Sequence, residues 1–424
     1  MTLDPVHFDG ITRLAARLGQ DVDTSDHRAF AETVWEEWLD PLSDDGDVIV
    51  EPLGERRRRM VDVTEAALQD DPFSTRHGLD SGTINPTTFK NGLVLDVAQA
   101  AMSAVPSDLD LHRGRTVVMT VHSNDATTTL GDEWTMADEG YTRQRVLHAP
   151  RVSRYEAAVV HELALYLAES SHALDNAGIV EDLLVMDGPI YPKGLLNWAD
   201  REPELATLLV EDERPRDVIG NYLRLVETFV ERDVPLVGFV KTPISRSITR
   251  TVREGAGNAP WVNDAAFFSK VLERREEVDG EWERLTDALT FTNWFVSRGG
   301  ADRELSTLGD AFGLERRLDP ADYEVTFCVV YDPRTDVVYR VEAPAVFTRD
   351  AEHRERLLLQ VLKGVAVERG PPKAVGKADS LAGIGRAETT ALRAALERAF
   401  ETELDTGYDE ERWGPFGRGS ANAD

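Results

Sequence analysis

The sequence has 424 residues, of which 42% are hydrophobic, so it is long enough to bury a large core. It has no run of about 18 apolar residues and no basic N-terminal segment followed by an apolar one. We therefore expect no transmembrane helix, no secretory signal and a cytoplasmic protein. Cys328 is the only cysteine, which excludes an intrachain disulfide and a zinc site built from cysteines.

The charge balance is strongly negative, with 77 acidic against 47 basic residues and a net charge of -30. The acids are dispersed, and only seven of the basic residues are lysines. This composition is typical of a halophilic archaeon, because in multimolar salt the Debye length falls to about 3 Å or less and self-repulsion is weak. In such a protein the global charge does not exclude a nucleic-acid partner.

The first third of the chain changes from helical to strand periodicity. Residues 1–70 predict a helical region, because apolar residues recur three and four positions apart. Residues 79–122 predict three strands joined by turns. A helix that is apolar almost all round is predicted at 151–172, and we expect it to be buried.

The rest of the chain continues this alternation. A short buried strand is predicted at 182–188, a helix near 216–232, and another buried strand in "VPLVGFVK". The segments "EVTFCVVYD" and "DVVYRVEAPAVF" predict a hairpin, which helices at 353–368 and 384–404 follow. The order of these elements predicts an α/β fold, a mixed sheet with helices on its faces, followed by a hairpin and helices as a C-terminal extension. Residues 406–424 are expected to form a disordered acidic tail.

Two of the predicted strands carry an aspartate at a turn, Asp80 in "GLDSG" and Asp187 in "VMDGP". Each could be a turn residue that bonds its own backbone. With an acid from the helix between them, however, they can gather three carboxylates at one edge of the sheet. Hard divalent cations prefer such oxygen ligands. Two ions about 3.5 to 4 Å apart would promote phosphodiester cleavage.

Four short segments resemble, in order and spacing, motifs of the NurA family of DNA-repair nucleases. They lie between residues 75 and 390 and read "GLDSGTIN", "RYEAAVVHELALYLAESS", "LLVMDGPI" and "VPLVGFVKTPISRSIT". The resemblance implies a nuclease domain with a ribonuclease H-like core at 71–405. It also implies a Mn²⁺- or Mg²⁺-dependent exonuclease and single-strand endonuclease. Such an enzyme resects DNA ends in double-strand break repair, forms a homodimer and works with the hexameric HerA ATPase.

The resemblance assigns roles to individual acids. Asp80 takes the place of the first catalytic aspartate, although this chain has Asp-Ser-Gly where the family has Asp-Gly-Ser. Asp187 takes the place of the second. For the helical acid we favour Glu156 over Glu162, from the distance of the motif to Asp187, although Glu156 also fits a capping box.

Basic residues near the later motifs are candidates for DNA contacts. Lys241 ends a buried strand and could hold a phosphate as a point charge, or it could be a surface lysine at a strand end. Arg246 and Arg250 are four residues apart and could face DNA from the following helix.

The chain departs from the family near residue 379. The family often carries an Ala-His pair there, and this chain has Ala378-Asp379. We predict that Asp379 ligates a second ion and that Lys373 or Lys377 steadies the scissile phosphate. The alternative is a Pro/Gly loop with solvated lysines.

Three functions are compatible with the sequence. The first is a metal-dependent DNA nuclease. The second is a non-catalytic DNA clamp or scaffold subunit of a DNA-translocating ATPase. The third is a hydrolase that uses paired carboxylates without metal, for example on a glycoside. ATP hydrolysis by this chain is not expected, because no Walker A loop is present.

Overall fold

The computed structural model describes residues 5–21, 24–125, 131–307 and 312–405. The predicted tail at 406–424 lies outside them. The helices in this part of the chain are α1 (Pro5–Asp21), α2 (Thr24–Glu37), α3 (Val63–Leu68), α4 (Leu109–Arg113), α5 (Glu156–Asn176), α6 (Lys193–Leu196), α7 (Trp198–Arg201), α8 (Pro203–Glu211), α9 (Glu213–Glu231), α10 (Ser247–Ala256), α11 (Asp264–Leu272), α12 (Ala345–Thr348), α13 (Ala351–Glu368), α14 (Lys373–Ala382) and α15 (Arg386–Phe400).

The strands in the same part of the chain are β1 (Leu42–Asp44), β2 (Asp47–Pro52), β3 (Arg58–Asp62), β4 (Arg76–Thr83), β5 (Thr87–Thr88), β6 (Val94–Val105), β7 (Arg115–His122), β8 (Thr135–Ala137), β9 (Thr142–His148), β10 (Leu184–Asp187), β11 (Leu236–Val240), β12 (Arg275–Val278), β13 (Glu281–Arg284), β14 (Ala288–Thr292), β15 (Phe295–Ser297), β16 (Val325–Asp332) and β17 (Val337–Pro344). Fifteen of them form one mixed sheet, and β12 and β13 form a separate hairpin.

The centre of the large sheet has the order β7-β6-β4-β10-β11. Strand β6 is antiparallel to both β4 and β7, whereas β10 is parallel to both β4 and β11. With α5 between β7 and β10 in the chain, and α9 between β10 and β11, this is the order and direction of a ribonuclease H-like core. The predicted fold class, a mixed α/β sheet flanked by helices, is confirmed.

The sheet is covered by helices on both faces. Successive residues of a strand face opposite sides, and β10 shows this directly. Met186 packs into the core that contains residues of α5 and α9, whereas Val185 packs into the core that contains residues of α13 and α14. Both side chains are almost completely buried, and each such burial stabilises the fold by roughly 1.5 to 3 kcal/mol.

The predicted C-terminal hairpin is present. Strands β16 and β17 pair along their whole lengths, and β17 also pairs with β11, which joins the hairpin to the central sheet. Helices α13 and α15 follow as predicted. Between them the sequence suggested a Pro/Gly loop as one possibility, but the structure has α14 there. Pro372 directly precedes this helix, where the missing N–H of a proline costs no helical hydrogen bond.

The prediction of an all-helical region over residues 1–70 is wrong between 42 and 62, where β1, β2 and β3 lie. Strand β2 pairs with β15 and β3 pairs with β14, so these residues extend the large sheet. The burial of β3 alternates with the period of two that strands have. Its arginines Arg58 and Arg59 form ion pairs with Glu32 and Glu355. In the described residues, no helix has the length and hydropathy that a membrane crossing needs.

Candidate active site

Three aspartates from distant parts of the chain meet at one end of the central sheet. Asp80 lies in β4, Asp187 ends β10, and Asp379 lies in α14. Each offers a carboxylate oxygen, and the three oxygens all lie within 4.8 Å of one another. Strands β4 and β10 are parallel neighbours in which Leu79 pairs with Met186, so the residues that follow in each strand are the two aspartates.

The glycines on either side of Asp80 allow α14 to lie directly on β4. A Cβ atom on Gly78 would be 2.2 Å from the carbonyl oxygen of Ala374, and one on Gly82 would be 2.4 Å from the carbonyl oxygen of Ala382. Real Cβ atoms essentially never approach other atoms so closely. The helix therefore runs along β4 at a depth that larger residues at these two positions would prevent.

The spacing of these contacts places Asp379 over Asp80. From Ala374 to Ala382 the helix rises about 12 Å, and from Gly78 to Gly82 the strand rises about 13 Å. The two elements stay in register, and each aspartate lies near the middle of its own segment. Strand β6 supports both ends of α14 through side chains that donate to its carbonyl oxygens, Ser103 to Ala374 at 2.6 Å and Gln99 to Ala382 at 3.4 Å.

The turn after Asp187 requires glycine. Gly188 has a φ of +119°, a conformation that residues with a side chain rarely adopt. Its carbonyl oxygen lies against β11, where a Cβ atom on Gly238 would be only 2.6 Å away. The Asp-Gly pair in "VMDGP" thus ends the strand as predicted, and it also turns the chain closely past its neighbour.

Lys241 lies at the cluster, directly after β11. Its Nζ atom is 2.5 Å from Oδ2 of Asp187. Burial lowers the pKa of Lys241, but its hydrogen bond to Asp187 and the charges of Asp187, Asp379 and Asp80 outweigh burial, so its pKa is raised. The lysine is therefore a permanent positive charge at the edge of the cluster.

One cation does not balance three carboxylates. Burial and the neighbouring charge of Asp187 raise the pKa of Asp80 to about 8, even though the backbone N–H of Ser81 donates to its carboxylate. Burial also raises the pKa of Asp187, despite its hydrogen bond to Lys241. Without a metal ion the cluster therefore retains a proton near neutral pH.

A further acid, Glu169, acts on this cluster and was not predicted from the sequence. It is buried inside α5, where Oε2 accepts a hydrogen bond of 2.8 Å from the hydroxyl of Tyr222. Burial is the main reason that its pKa is raised to about 8, and the charge of Asp187 adds to it. The charge of Glu169 in turn raises the pKa of Asp80.

Neither predicted helical acid reaches the aspartates. Glu156 is the first residue of α5, and it lies about 20 Å from Glu169 along the helix axis. Glu162 lies about 10 Å from Glu169. Its Oε1 is 3.6 Å from Arg201, and burial raises its pKa to about 7. The acid of α5 whose charge acts on Asp80 and Asp187 is therefore Glu169, and neither the predicted Glu156 nor its alternative Glu162.

The register of the sheet explains this correction. His172 of α5 hydrogen-bonds Thr116 of β7 at 3.0 Å. Thr116 pairs with Ala100, which pairs with Ser81 next to Asp80. The C-terminal half of α5 therefore crosses the sheet at the level of the aspartates. A seven-residue repeat links Glu162 and Glu169 on one helix face, but the sequence alone does not show which turn of the helix is level with Asp80.

Lys373 and Lys377 do not lie at the cluster. Nζ of Lys377 donates to Oγ of Ser107 at 2.7 Å and to the carbonyl oxygen of Ala104 at 3.3 Å. Ala104 pairs with the residue three positions before Asp80, about 10 Å away along β4. Lys373 is one helical turn from Lys377 and therefore shares its side of α14. The prediction that either lysine steadies the scissile phosphate is not supported.

The two predicted DNA-contacting arginines lie on the surface just after Lys241. Arg246 directly precedes α10 and is exposed. Arg250 is also exposed, and its Nε is 3.0 Å from Oε1 of Glu254. Both remain candidates for contacts with a DNA backbone.

Comparison with known proteins gives one family model that matches most of the chain. The family model described as the NurA domain matches residues 75–384. The chain is similar to the crystal structure of the NurA nuclease from Sulfolobus solfataricus, at 12% identity over 94% of this chain and 98% of that one, with a TM-score of 0.47. It is also similar to a crystal structure of NurA bound to dAMP and manganese, at 10% identity over 92% and 97% of the two chains, with a TM-score of 0.44. No curated protein matches.

Proposed function

The chain belongs to the NurA family, and we propose that it is a metal-dependent deoxyribonuclease whose active site is the cluster of Asp80, Asp187 and Asp379. The observation that carries this proposal is the convergence of the three carboxylates, whose oxygens lie within 4.8 Å of one another. Each acid comes from a different element, and each element is held at this position by backbone pairing or close packing.

The donor set fits a hard divalent cation. All three candidate ligands are carboxylate oxygens, which suit Mg²⁺ and Mn²⁺. The raised pKa of Asp80, about 8, has burial and the charge of Asp187 as its main causes, so the cluster lacks positive charge that a cation would supply. We propose that the cofactor is a pair of divalent ions, Mn²⁺ or Mg²⁺. When bound, such ions activate water and stabilise the leaving oxygen in phosphodiester cleavage.

The neighbouring residues prepare the site for this chemistry. Lys241 fixes Asp187 through the 2.5 Å ion pair and carries the positive charge that would meet a phosphate entering past the ends of β10 and β11. Tyr222 fixes the carboxylate of Glu169. We propose Glu169 as the helical acid of the site. Its negative charge adds to that of the aspartates and favours the binding of cations.

We propose the wider role that the family resemblance implies. The protein would resect DNA ends in double-strand break repair, as a cytoplasmic homodimer in a halophilic archaeon, together with a HerA-type hexameric ATPase. The absence of a Walker A loop supports this, because movement along DNA then needs another protein. Helix α1 exposes three apolar residues with helical spacing, which make residues 1–70 a candidate contact surface: Phe8, Ile11 and Leu14.

Co-purification tests the partnership. Affinity isolation of the chain from a native extract in multimolar salt should recover a hexameric ATPase, and light scattering should give the mass of a dimer. A protein that runs as a lone monomer with no ATPase attached would contradict the wider role. It would leave the proposed chemistry intact.

A nuclease assay tests the activity. Purified protein in multimolar KCl should cleave end-labelled single-stranded DNA with Mn²⁺ and should stop when EDTA is added. The Asp187→Asn variant should be inactive, whereas Asp70→Asn, a matched change at an exposed aspartate, should cleave normally. Cleavage that persists in EDTA would favour hydrolysis without metal, and Mn²⁺-dependent DNA binding without cleavage would favour a non-catalytic clamp.

A further inference from the structure

The loop between β11 and α10 presents an apolar side chain to solvent beside the active site. Within it Pro243 is buried and Ser245 is half-buried, whereas Ile244 is 78% exposed and Arg246 is exposed. This alternation anchors the loop on one side and points Ile244 outward. Single exposed apolar residues are ordinary on protein surfaces. A functional role for Ile244 must therefore be argued from its location and from the contacts that hold its loop.

The loop is fixed to the protein by hydrogen bonds with a buried aspartate. Asp264, only 5% exposed, accepts a 2.7 Å hydrogen bond from the hydroxyl of Ser245 and a 2.9 Å hydrogen bond from the backbone N–H of Thr249. The backbone N–H of Asp264 donates to the carbonyl oxygen of Ser245 at 2.9 Å. A second exposed apolar residue, Val262 at 71%, lies two positions before Asp264 on the adjoining loop. Hydrogen bonds with the buried Asp264 thus hold the residue next to Ile244, while Ile244 itself stays in solvent.

The position is at the mouth of the cluster. Lys241 contacts Asp187 at 2.5 Å, and Ile244 follows three residues later, within about 10 Å of chain. Helix α14 lies directly over β4, since a Cβ atom on Gly78 would touch it. Asp187 ends β10 and Lys241 directly follows β11, so this loop begins beside the carboxylates.

We propose that Ile244 is a wedge that parts the terminal base pair of a DNA end and directs one strand to the aspartates. This inference rests on the proposed nuclease function. Apolar side chains, isoleucine among them, unstack bases by entering between base steps. Lys241 and Arg246 flank Ile244 in the chain and supply the positive charges that a DNA backbone requires.

A substrate comparison tests the wedge with purified protein and Mn²⁺. The variants are Ile244→Ser and a matched control, Leu68→Ser, at a leucine that is 80% exposed at the end of α3. The substrates are a blunt duplex, the same duplex with an unpaired fork at its end, and the single strand. Ile244→Ser should slow cleavage of the blunt duplex by about tenfold or more, because unstacking one step costs a few kcal/mol. Its rates on the fork and the single strand should match wild type, and Leu68→Ser should match wild type throughout.

A binding measurement separates the wedge from the chemistry. In the inactive Asp187→Asn protein, 2-aminopurine at the terminal base pair of a blunt duplex should brighten on binding. Adding Ile244→Ser should remove the increase while fluorescence anisotropy still reports bound DNA. Equal brightening with and without Ile244, or equal slowing of duplex and single strand, would overturn the wedge. Failure of wild-type protein to cleave single strands would instead refute the nuclease, and the fluorescence result would still decide the wedge.

Discussion

A Cβ atom on Gly78 would lie 2.2 Å from the carbonyl oxygen of Ala374, so only glycine lets α14 rest on β4 at its present depth. Because Asp379 is carried by α14 alone, this contact sets the distance between Asp379 and the other two aspartates. The geometry of the proposed metal site thus depends on a residue that has no side chain and no role in binding.

The first prediction concerns this contact. Gly78→Ala should lower the free energy of unfolding by roughly 1 to 3 kcal/mol through overpacking. It should slow Mn²⁺-dependent cleavage by about a hundredfold, as a shift of about 1 Å can do. The control is Gly376→Ala in α14, at a glycine with open space around it. This variant should keep activity, and its free energy of unfolding should rise by about 0.5 to 1 kcal/mol. Denaturation and cleavage rates check both variants, and similar behaviour of the two would contradict the role of Gly78.

The second prediction concerns pH without metal. The folded-state pKa of Asp80 is about 8 against an ordinary value of 3.8. Between these values the folded protein holds a proton that the unfolded chain has released, so stability falls as pH rises. Asp80→Asn should reduce this fall without abolishing it, because the raised pKa values of Glu169 and Glu162 contribute to the same pH range. Thermal unfolding in EDTA at pH 5 and pH 8 measures it, and an equal loss of stability in wild type and variant would count against the raised pKa.

The third prediction replaces the helical acid. Glu169→Gln should retain the hydrogen bond from Tyr222, since the amide oxygen can accept it, and should lose most cleavage activity. Glu156→Gln should cleave normally, because that residue lies about 20 Å away along α5. Steady-state rates with Mn²⁺ and near-ultraviolet spectra for the fold check the pair. An active Glu169→Gln protein would remove this residue from the site.

Much of the site could be predicted from the sequence, because local chemistry marked it. Asp80 lies within a predicted strand and Asp187 ends another, and Lys241 is one of seven lysines in a strongly acidic chain. The central strands and the last hairpin showed clear periodicity. Asp379 was found only through the family resemblance, and the structure brings it to the predicted place.

The sequence-based predictions failed where contacts between distant parts of the chain determine the structure. The choice of helical acid depends on how α5 lies across the sheet, which the contact between His172 and Thr116 reveals and no local pattern does. Strand β3 was mistaken for a helix because its arginines obscure the apolar period and pair with acids far along the chain, such as Glu355. The lysines of α14 seemed to accompany Asp379 in sequence, but helix geometry turns Lys377 toward Ser107 instead.

The fourth prediction concerns metal preference. A site of carboxylates alone should accept Mg²⁺ better than one with an imidazole ligand, because nitrogen favours the transition metals. Asp379→His should therefore keep activity with Mn²⁺ and lose it with Mg²⁺, whereas Asp379→Ala should lose most activity with both. Cleavage rates over a titration of each ion check this. A fully active Asp379→Ala protein would show that this aspartate does not bind the ions.

The most direct test of the metal site is a crystal structure grown with Mn²⁺, with anomalous scattering recorded at the manganese edge. We expect anomalous peaks between Asp80, Asp187 and Asp379, at about 2.0 to 2.6 Å from their carboxylate oxygens, the range of hard divalent cations. Two peaks about 3.5 to 4 Å apart would indicate the two-ion arrangement. Well-ordered carboxylates with no peak between them, in crystals of protein that cleaves DNA with Mn²⁺, would contradict the proposed metal site.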